Sequence, residues 1–220
     1  MYKACIFDLD GTLADTLESL TYSVNATLAK LGLPEITSEQ CESFIGSGAK
    51  MLVKRSIEAA GGDSASLLDE AMTIYGRIFD AHCTYQVTPY DGIVEMLQSV
   101  KELGLSLAVL SNKPHEQTIK VVNDVFGSDV FSFIQGQRED VPRKPDPTGA
   151  FMVTKALGVE PSECLYIGDS DVDMQTGCAA GMDSVGVTWG FRSREVLQEY
   201  GAMYLVDKAE EILEIVKEKE

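Results

Sequence analysis

The chain carries little positive charge: 18 Lys+Arg stand against 35 Asp+Glu in 220 residues, a formal net charge of −17. A surface that acidic excludes binders of a phosphate backbone, whose affinity comes from basic patches, so no nucleic-acid partner is expected. It does not exclude a small anionic substrate, because one divalent cation and a few basic side chains can invert the potential inside a cleft. Cysteine is sparse and scattered: Cys5, Cys41, Cys83, Cys164 and Cys178 are odd in number and lack CxxC spacing. That argues against a disulfide framework and a thiolate metal site, and predicts reduced core thiols of a cytoplasmic protein. No apolar run approaches the roughly 20 residues that span a bilayer, so no membrane partner is expected. Met1 leads straight into an apparent strand, with no signal peptide before it, and the sequon Asn25-Ala26-Thr27 is taken as accidental. Of the two histidines, His82 stands alone and His115 opens a helix, so neither is a metal candidate.

What is present is strand–helix alternation with one interruption. Tyr2–Phe7 has the composition of a buried strand. From Thr16 to about Cys83 apolar residues recur at three- and four-residue spacing without a strand, and glycines at Gly32, Gly46-Ser47-Gly48 and Gly61-Gly62 divide the stretch into about four helices. Beyond Pro89 the pattern predicts helices at Gly92–Leu103, His115–Phe126, Thr148–Leu157 and Val172–Ala180. Strands are predicted at Ser106–Leu110, Phe133–Gly136, Cys164–Ile167 and Ser184–Val187, and Lys217–Glu220 as a frayed helix end. Alternation of this kind builds βαβ units and a parallel sheet. The expected fold is therefore α/β, a Rossmann-like parallel sheet flanked by helices, with a small four-helix cap inserted after the first strand. Residues 1–14 and 89–220 would form the core domain and 15–88 the cap.

In open parallel sheets ligands bind beyond the carboxyl ends of the strands, and four polar clusters fall there. They are Asp8-Leu9-Asp10-Gly11-Thr12, Ser111-Asn112-Lys113, Arg143-Lys144-Pro145-Asp146-Pro147, and Gly168-Asp169-Ser170-Asp171-Val172-Asp173. Structural alternatives exist for each. Asp8 and Asp10 could open a turn, Asp169 could cap a helix, and Asp146-Pro147 suits an N-cap followed by Pro at the first helical position. Gly46-Ser47-Gly48-Ala49-Lys50 lacks the ending and the preceding strand of a P-loop. Trp189, Phe191 and Tyr200 are taken as packing residues.

The four clusters in this order resemble the haloacid dehalogenase superfamily over nearly the whole chain, with the helical block in the place of that family's small C1-type cap. The resemblance implies a phosphoryl-transfer enzyme, and the residue types suit it. The Asp8 carboxylate can attack phosphorus to form an aspartyl phosphate. Asp10 can protonate the leaving alkoxide and then deprotonate the hydrolytic water, catalysis that contributes about 10²–10⁴-fold. A carboxylate attacking an anion requires a cation, and Mg2+ with its few carboxylate ligands fits. By resemblance its ligands are Asp8, the main-chain carbonyl of Asp10, and Asp169, with Asp173 behind them orienting Asp169 or Lys144. Main-chain N–H groups around Gly11, Thr12 and Asn112, the Ser111 hydroxyl and Lys144 would hold the phosphate oxygens.

Within the superfamily the chain resembles phosphoglycolate phosphatases in Phe44-Ile45-Gly46-Ser47-Gly48-Ala49, Ser111-Asn112-Lys113-Pro114 and Gly186-Val187-Thr188-Trp189-Gly190-Phe191. It departs from many of them in having Leu17-Glu18 after the hinge pair Asp15-Thr16. The implied substrate is a small phosphorylated metabolite, 2-phosphoglycolate first, with Ser47, Gly48 and Lys50 of the cap choosing it, in a monomer or weak homodimer. The rivals are a β-phosphoglucomutase-type enzyme, a broader sugar-phosphate or nucleotide phosphatase, and a non-catalytic phosphate sensor. Mutases of that kind carry a His at the position of Leu20 and an Arg near Ala49, both missing here. Dehalogenases lack an acid like Asp10, the presence of both Asp8 and Asp10 argues against a sensor, and nothing singles out the cap lysine that a phosphonate hydrolase would need.

Overall fold

The structure, a computed structural model, describes residues 1–219. Strand β1 (Ala4–Phe7) leads through β2 (Ala14–Asp15) into helices α1 (Leu17–Lys30), α2 (Ser38–Phe44), α3 (Ala49–Ala59) and α4 (Ser64–His82). The chain returns through β3 (Thr88–Pro89) to α5 (Ile93–Glu102), β4 (Ser106–Pro114), α6 (His115–Phe126), β5 (Phe133–Gln137) and α7 (Thr148–Leu157). A 3-10 turn at Pro161–Glu163 precedes β6 (Cys164–Gly168), α8 (Asp171–Ala180), β7 (Asp183–Val187), α9 (Arg194–Glu199), β8 (Tyr204–Val206) and α10 (Ala209–Glu218).

Six strands form one sheet in the order β5-β4-β1-β6-β7-β8, every pairing parallel. The two strands richest in chemistry, β1 and β6, are buried end to end and lie side by side, Phe7 opposite Ile167. Their unbroken apolar runs are those of strands covered on both faces. The helical insert buries Leu20, Val24, Leu52, Ile57, Tyr75 and Phe79 in an apolar cluster continuous with that of the sheet, and two of its helices, α2 and α4, start on side-chain caps. Thr37 and Gln40 form a reciprocal capping box, and Asp63 accepts from the Ala65 N–H. The two crossings between insert and sheet pair with each other as an antiparallel ribbon, Ala14 opposite Pro89 and Asp15 opposite Thr88. No described helix is long and apolar enough to cross a membrane.

The structure departs from the sequence expectations at four places. β4 runs on to Pro114, with an irregularity in its pairing between Leu110 and Pro114. Its last residues are polar because they face the cleft, and that hid the strand from a reading based on hydrophobicity. β8, α9 and most of α10 were not expected. Lys217 and Glu218 belong to the intact end of α10, and Glu220 lies outside the described residues. Asp146, the expected cap, sits one residue before the observed one: Pro147 is the cap position of α7, and Asp146 Oδ1 accepts from the Thr148 N–H at 2.9 Å. Finally, all five cysteines are free, yet Cys178 is exposed rather than a core thiol.

Candidate active site

The turn after β1 sets the first carboxylates. The Asp8 N–H donates to Ile167 O at 2.9 Å, which ties the strand end to β6, and the Leu9 N–H donates to Asp8 Oδ1 at 2.7 Å. Gly11 then turns with φ at +81°, and a Cβ there would overlap the Asp169 carboxylate and the Phe191 ring. Only glycine lets the first loop come this close to the fourth. Asp169 is held from two sides, by the Thr12 hydroxyl at 3.1 Å on Oδ1 and by the Phe191 N–H at 2.8 Å on Oδ2. Phe191 thus does more than pack.

Lys144 joins the clusters electrostatically. Its ammonium lies 2.7 Å from Asp173 Oδ1 and 3.0 Å from Asp8 Oδ1, and donates to Leu110 O at 3.0 Å. Asp173 is fixed in turn by the Ser170 hydroxyl and N–H, the cap of α8. Asn112 clamps the neighbouring loop: its Oδ1 accepts from the Lys144 N–H at 3.0 Å, and its Nδ2 donates to Lys144 O and to Gly46 O of the insert. Ser111 is buried beside it, accepting from the Lys113 N–H at 3.3 Å.

Asp8, Asp169 and Asp173 offer oxygens that all lie within 4.8 Å of one another, and all three are buried. Lys144 pairs with two of them, while among the described residues no cation pairs with Asp169. The consequence is visible in their acidity. Burial first, then the Asp173 charge, pushes Asp8 up to about 7 despite Lys144. Burial, Asp173 and Asp8 hold Asp169 well above the usual carboxylate range. Burial alone would pull Lys144 down, but Asp173 and Asp8 more than reverse it and leave it well above its ordinary value.

The cleft above these groups is roofed by the insert. Leu20, Gly46, Gly48, Ala49, Tyr75 and Phe79 line it opposite Asp8, Asp10, Ser111 and Asp169. Core side chains grip the roof: Arg192 Nη2 donates to Ile45 O at 2.6 Å, beside the Asn112 bond to Gly46 O. Of the three cap residues expected to meet substrate, only Gly48 lines the cleft. Helix α3 begins at Ala49, so Gly48 and Ala49 turn inward while Lys50 is exposed and Ser47 half-buried outside the lining. Reading residue types missed Lys113, whose ammonium lies 2.8 Å from Asp10 Oδ1, and Arg192. For Lys113 a signal existed, its place in the polar cluster at the end of β4; for Arg192 none did.

The family model for haloacid dehalogenase-like hydrolases matches residues 5–187. The phosphoglycolate phosphatase of Haemophilus influenzae is 32% identical over 221 residues, covering 98% of this chain and 98% of that protein. The one from Pseudomonas syringae pv. tomato is 32% identical over 210 residues, covering 93% of this chain and 76% of that protein. The crystal structure of a Lactobacillus delbrueckii subsp. bulgaricus protein superposes with a TM-score of 0.90 at 34% identity, covering 98% of both chains. With its four clusters gathered at the strand ends and nearly its full length matched, the chain belongs to the haloacid dehalogenase-like hydrolase family.

Proposed function

We infer that this phosphatase is a Mg2+-dependent phosphomonoesterase that works through an aspartyl phosphate on Asp8, its substrate being a small phosphorylated metabolite, 2-phosphoglycolate. The observation that carries the reading is the buried trio Asp8, Asp169 and Asp173 with one shared ammonium, Lys144. The trio is short of positive charge, and its donors are all carboxylate oxygens, the ligand type that a hard divalent cation takes. Asp8 and Asp169 would hold the ion with the Asp10 carbonyl, and Asp173 is committed to Lys144 and Ser170. The bound ion would neutralise charge between the carboxylate nucleophile and the phosphoryl group.

The remaining work falls to the chain's own side chains. Asp8 Oδ attacks phosphorus in line with the ester oxygen, which leaves with a proton from Asp10. Lys144, the Ser111 hydroxyl and the loop N–H groups at Gly11, Thr12 and Asn112 hold the phosphoryl oxygens. Asp10 then takes a proton from the water that cleaves the acyl phosphate and restores Asp8. Leu20, on the cleft wall where a mutase of the related type carries a His, provides no proton carrier, which favours transfer to water. The small cavity, about 50 Å³, and the relatives' names favour a compact substrate. The roof on its ribbon excludes water as it closes. The same arrangement fits a protein working in the cytoplasm, where phosphorylated metabolites and Mg2+ meet.

A phosphate-release screen over phosphorylated acids, sugars, nucleotides and pyrophosphate, with Mg2+ and with chelator, tests the reading. Metal-dependent release, fastest from 2-phosphoglycolate, is expected. Undiminished turnover after verified metal removal refutes the mechanism, and slow turnover of 2-phosphoglycolate beside fast turnover of a sugar phosphate refutes the substrate.

A further inference from the structure

Lys113 has no part in the steps above, yet its ammonium borders the reacting atoms. Its side chain is 1% exposed and ends 2.8 Å from Asp10 Oδ1, on the cleft that also contains Asp8 and Asp169. A lysine ammonium has three N–H donors. One goes to Asp10, and the Phe79 ring of α4 covers a second side, its centroid 4.8 Å from Nζ. Among the described residues no further acceptor meets it, so a donor is left for a ligand. The other buried cation belongs to the phosphoryl end of the cleft: Lys144 sits against Asp8 and Asp173 and donates to Leu110 O. Arg192 holds the roof through Ile45 O and faces Asp171 at 3.6 Å. Tyr75, 2% exposed, lines the same cavity, and its hydroxyl has no hydrogen-bond partner among the described residues.

The leaving oxygen must lie within hydrogen-bond reach of Asp10, whose carboxylate is also in contact with Lys113. A group bonded to Lys113 is then a close neighbour of that oxygen. A carboxylate carried on the carbon next to the ester oxygen spans such a gap of about 3 Å. We propose that Lys113, with the Tyr75 hydroxyl, is a carboxylate subsite that selects a phosphorylated 2-hydroxy acid over neutral phosphate esters of equal length. This rests on the phosphatase reading and assigns the residues that select its substrate. A neutral ester leaves the buried ammonium and the phenol without their ligand, and a site built around such donors rejects the analogue that lacks the acceptor.

The test compares kcat/KM for 2-phosphoglycolate and 2-hydroxyethyl phosphate, which differ in the carboxylate. The wild-type enzyme is expected to prefer the acid by about 100-fold or more. Lys113→Met should cut that ratio by at least about tenfold, mostly through KM, while Lys113→Arg restores most of it. Tyr75→Phe should lower it by about threefold, and decides the matter should Lys113→Met fail to fold. Inhibition gives a second readout: Lys113→Met should weaken inhibition by glycolate more than inhibition by inorganic phosphate. Equal losses on both esters, equal weakening of both inhibitors, or a wild type indifferent to the carboxylate overturns the inference. If no ester at all is hydrolysed with Mg2+, the phosphatase reading itself falls, and the subsite with it.

Discussion

Asp8 is expected to cost the metal-free protein stability, so Asp8→Asn, inactive on the proposed mechanism, should be the more stable protein. The carboxyl is held at about 7 in the fold against an ordinary 3.8, with burial the larger cause and the Asp173 charge the next. An acid whose folded pKa is raised favours folding fully below its unfolded value and loses that contribution as pH rises to the folded one. Here the loss runs from about pH 4 to pH 7 and then levels off. Each pH unit is worth about 1.4 kcal/mol, which puts the upper bound near 4 kcal/mol. Asp8→Asn removes this penalty but also takes from Lys144 a partner 3.0 Å away, which returns part of the gain. A net stabilisation of about 1–3 kcal/mol remains, which at 2–4 °C per kcal/mol for a chain of this length raises Tm by roughly 2–12 °C. Thermal melts in chelator at a series of pH values should show the variant's advantage small near pH 5 and full near pH 8. Mg2+ should narrow it, because the ion compensates the wild-type carboxylate. Asp8→Asn melting below the wild type in chelator near pH 8, or an advantage that ignores pH, would refute the electrostatic argument.

Other outcomes follow from the same geometry. Asp10→Ala should release about one equivalent of phenol from an aryl phosphate and then stall as the aspartyl phosphate, whereas Asp8→Asn shows no burst; stopped-flow absorbance separates them. Wild-type turnover by Asp10→Ala would remove it from proton transfer. Asp169→Asn should raise the Mg2+ concentration for half-maximal activity by about tenfold or more, measured by metal titration, and an unchanged titration would take Asp169 out of the metal site. Gly11→Ala should cost about 2–4 kcal/mol in chemical denaturation together with most activity, since the added methyl meets the Asp169 carboxylate and φ is +81°; a change below about 0.5 kcal/mol would refute that close approach.

Those parts of the molecule were legible whose signal lies within one segment. Continuous apolar runs such as Ala4–Phe7 and Cys164–Ile167 could only be buried strands, and the polar residues that break them mark the strand ends. Asp8 and Asp169 were therefore nameable before any contact was known; Asp173 was expected to orient Asp169 or Lys144, and it is Lys144 that it holds. β8 has three residues, too short for a period to show. α10 was legible and passed over, since Ala209, Ile212, Ile215 and Val216 form one buried stripe. Ser47, Gly48 and Lys50 illustrate a different limit. A glycine-rich stretch announces that the chain turns, but which side chains point inward depends on where the next helix starts, and a start at Ala49 sends Lys50 outward. Lys113 illustrates the hardest one. Its meaning comes from Asp10, 103 positions away, and from the Phe79 ring that the insert lowers onto it. A lysine in a polar cluster reads as solvated surface until the fold buries it, and burial then makes its charge worth a ligand.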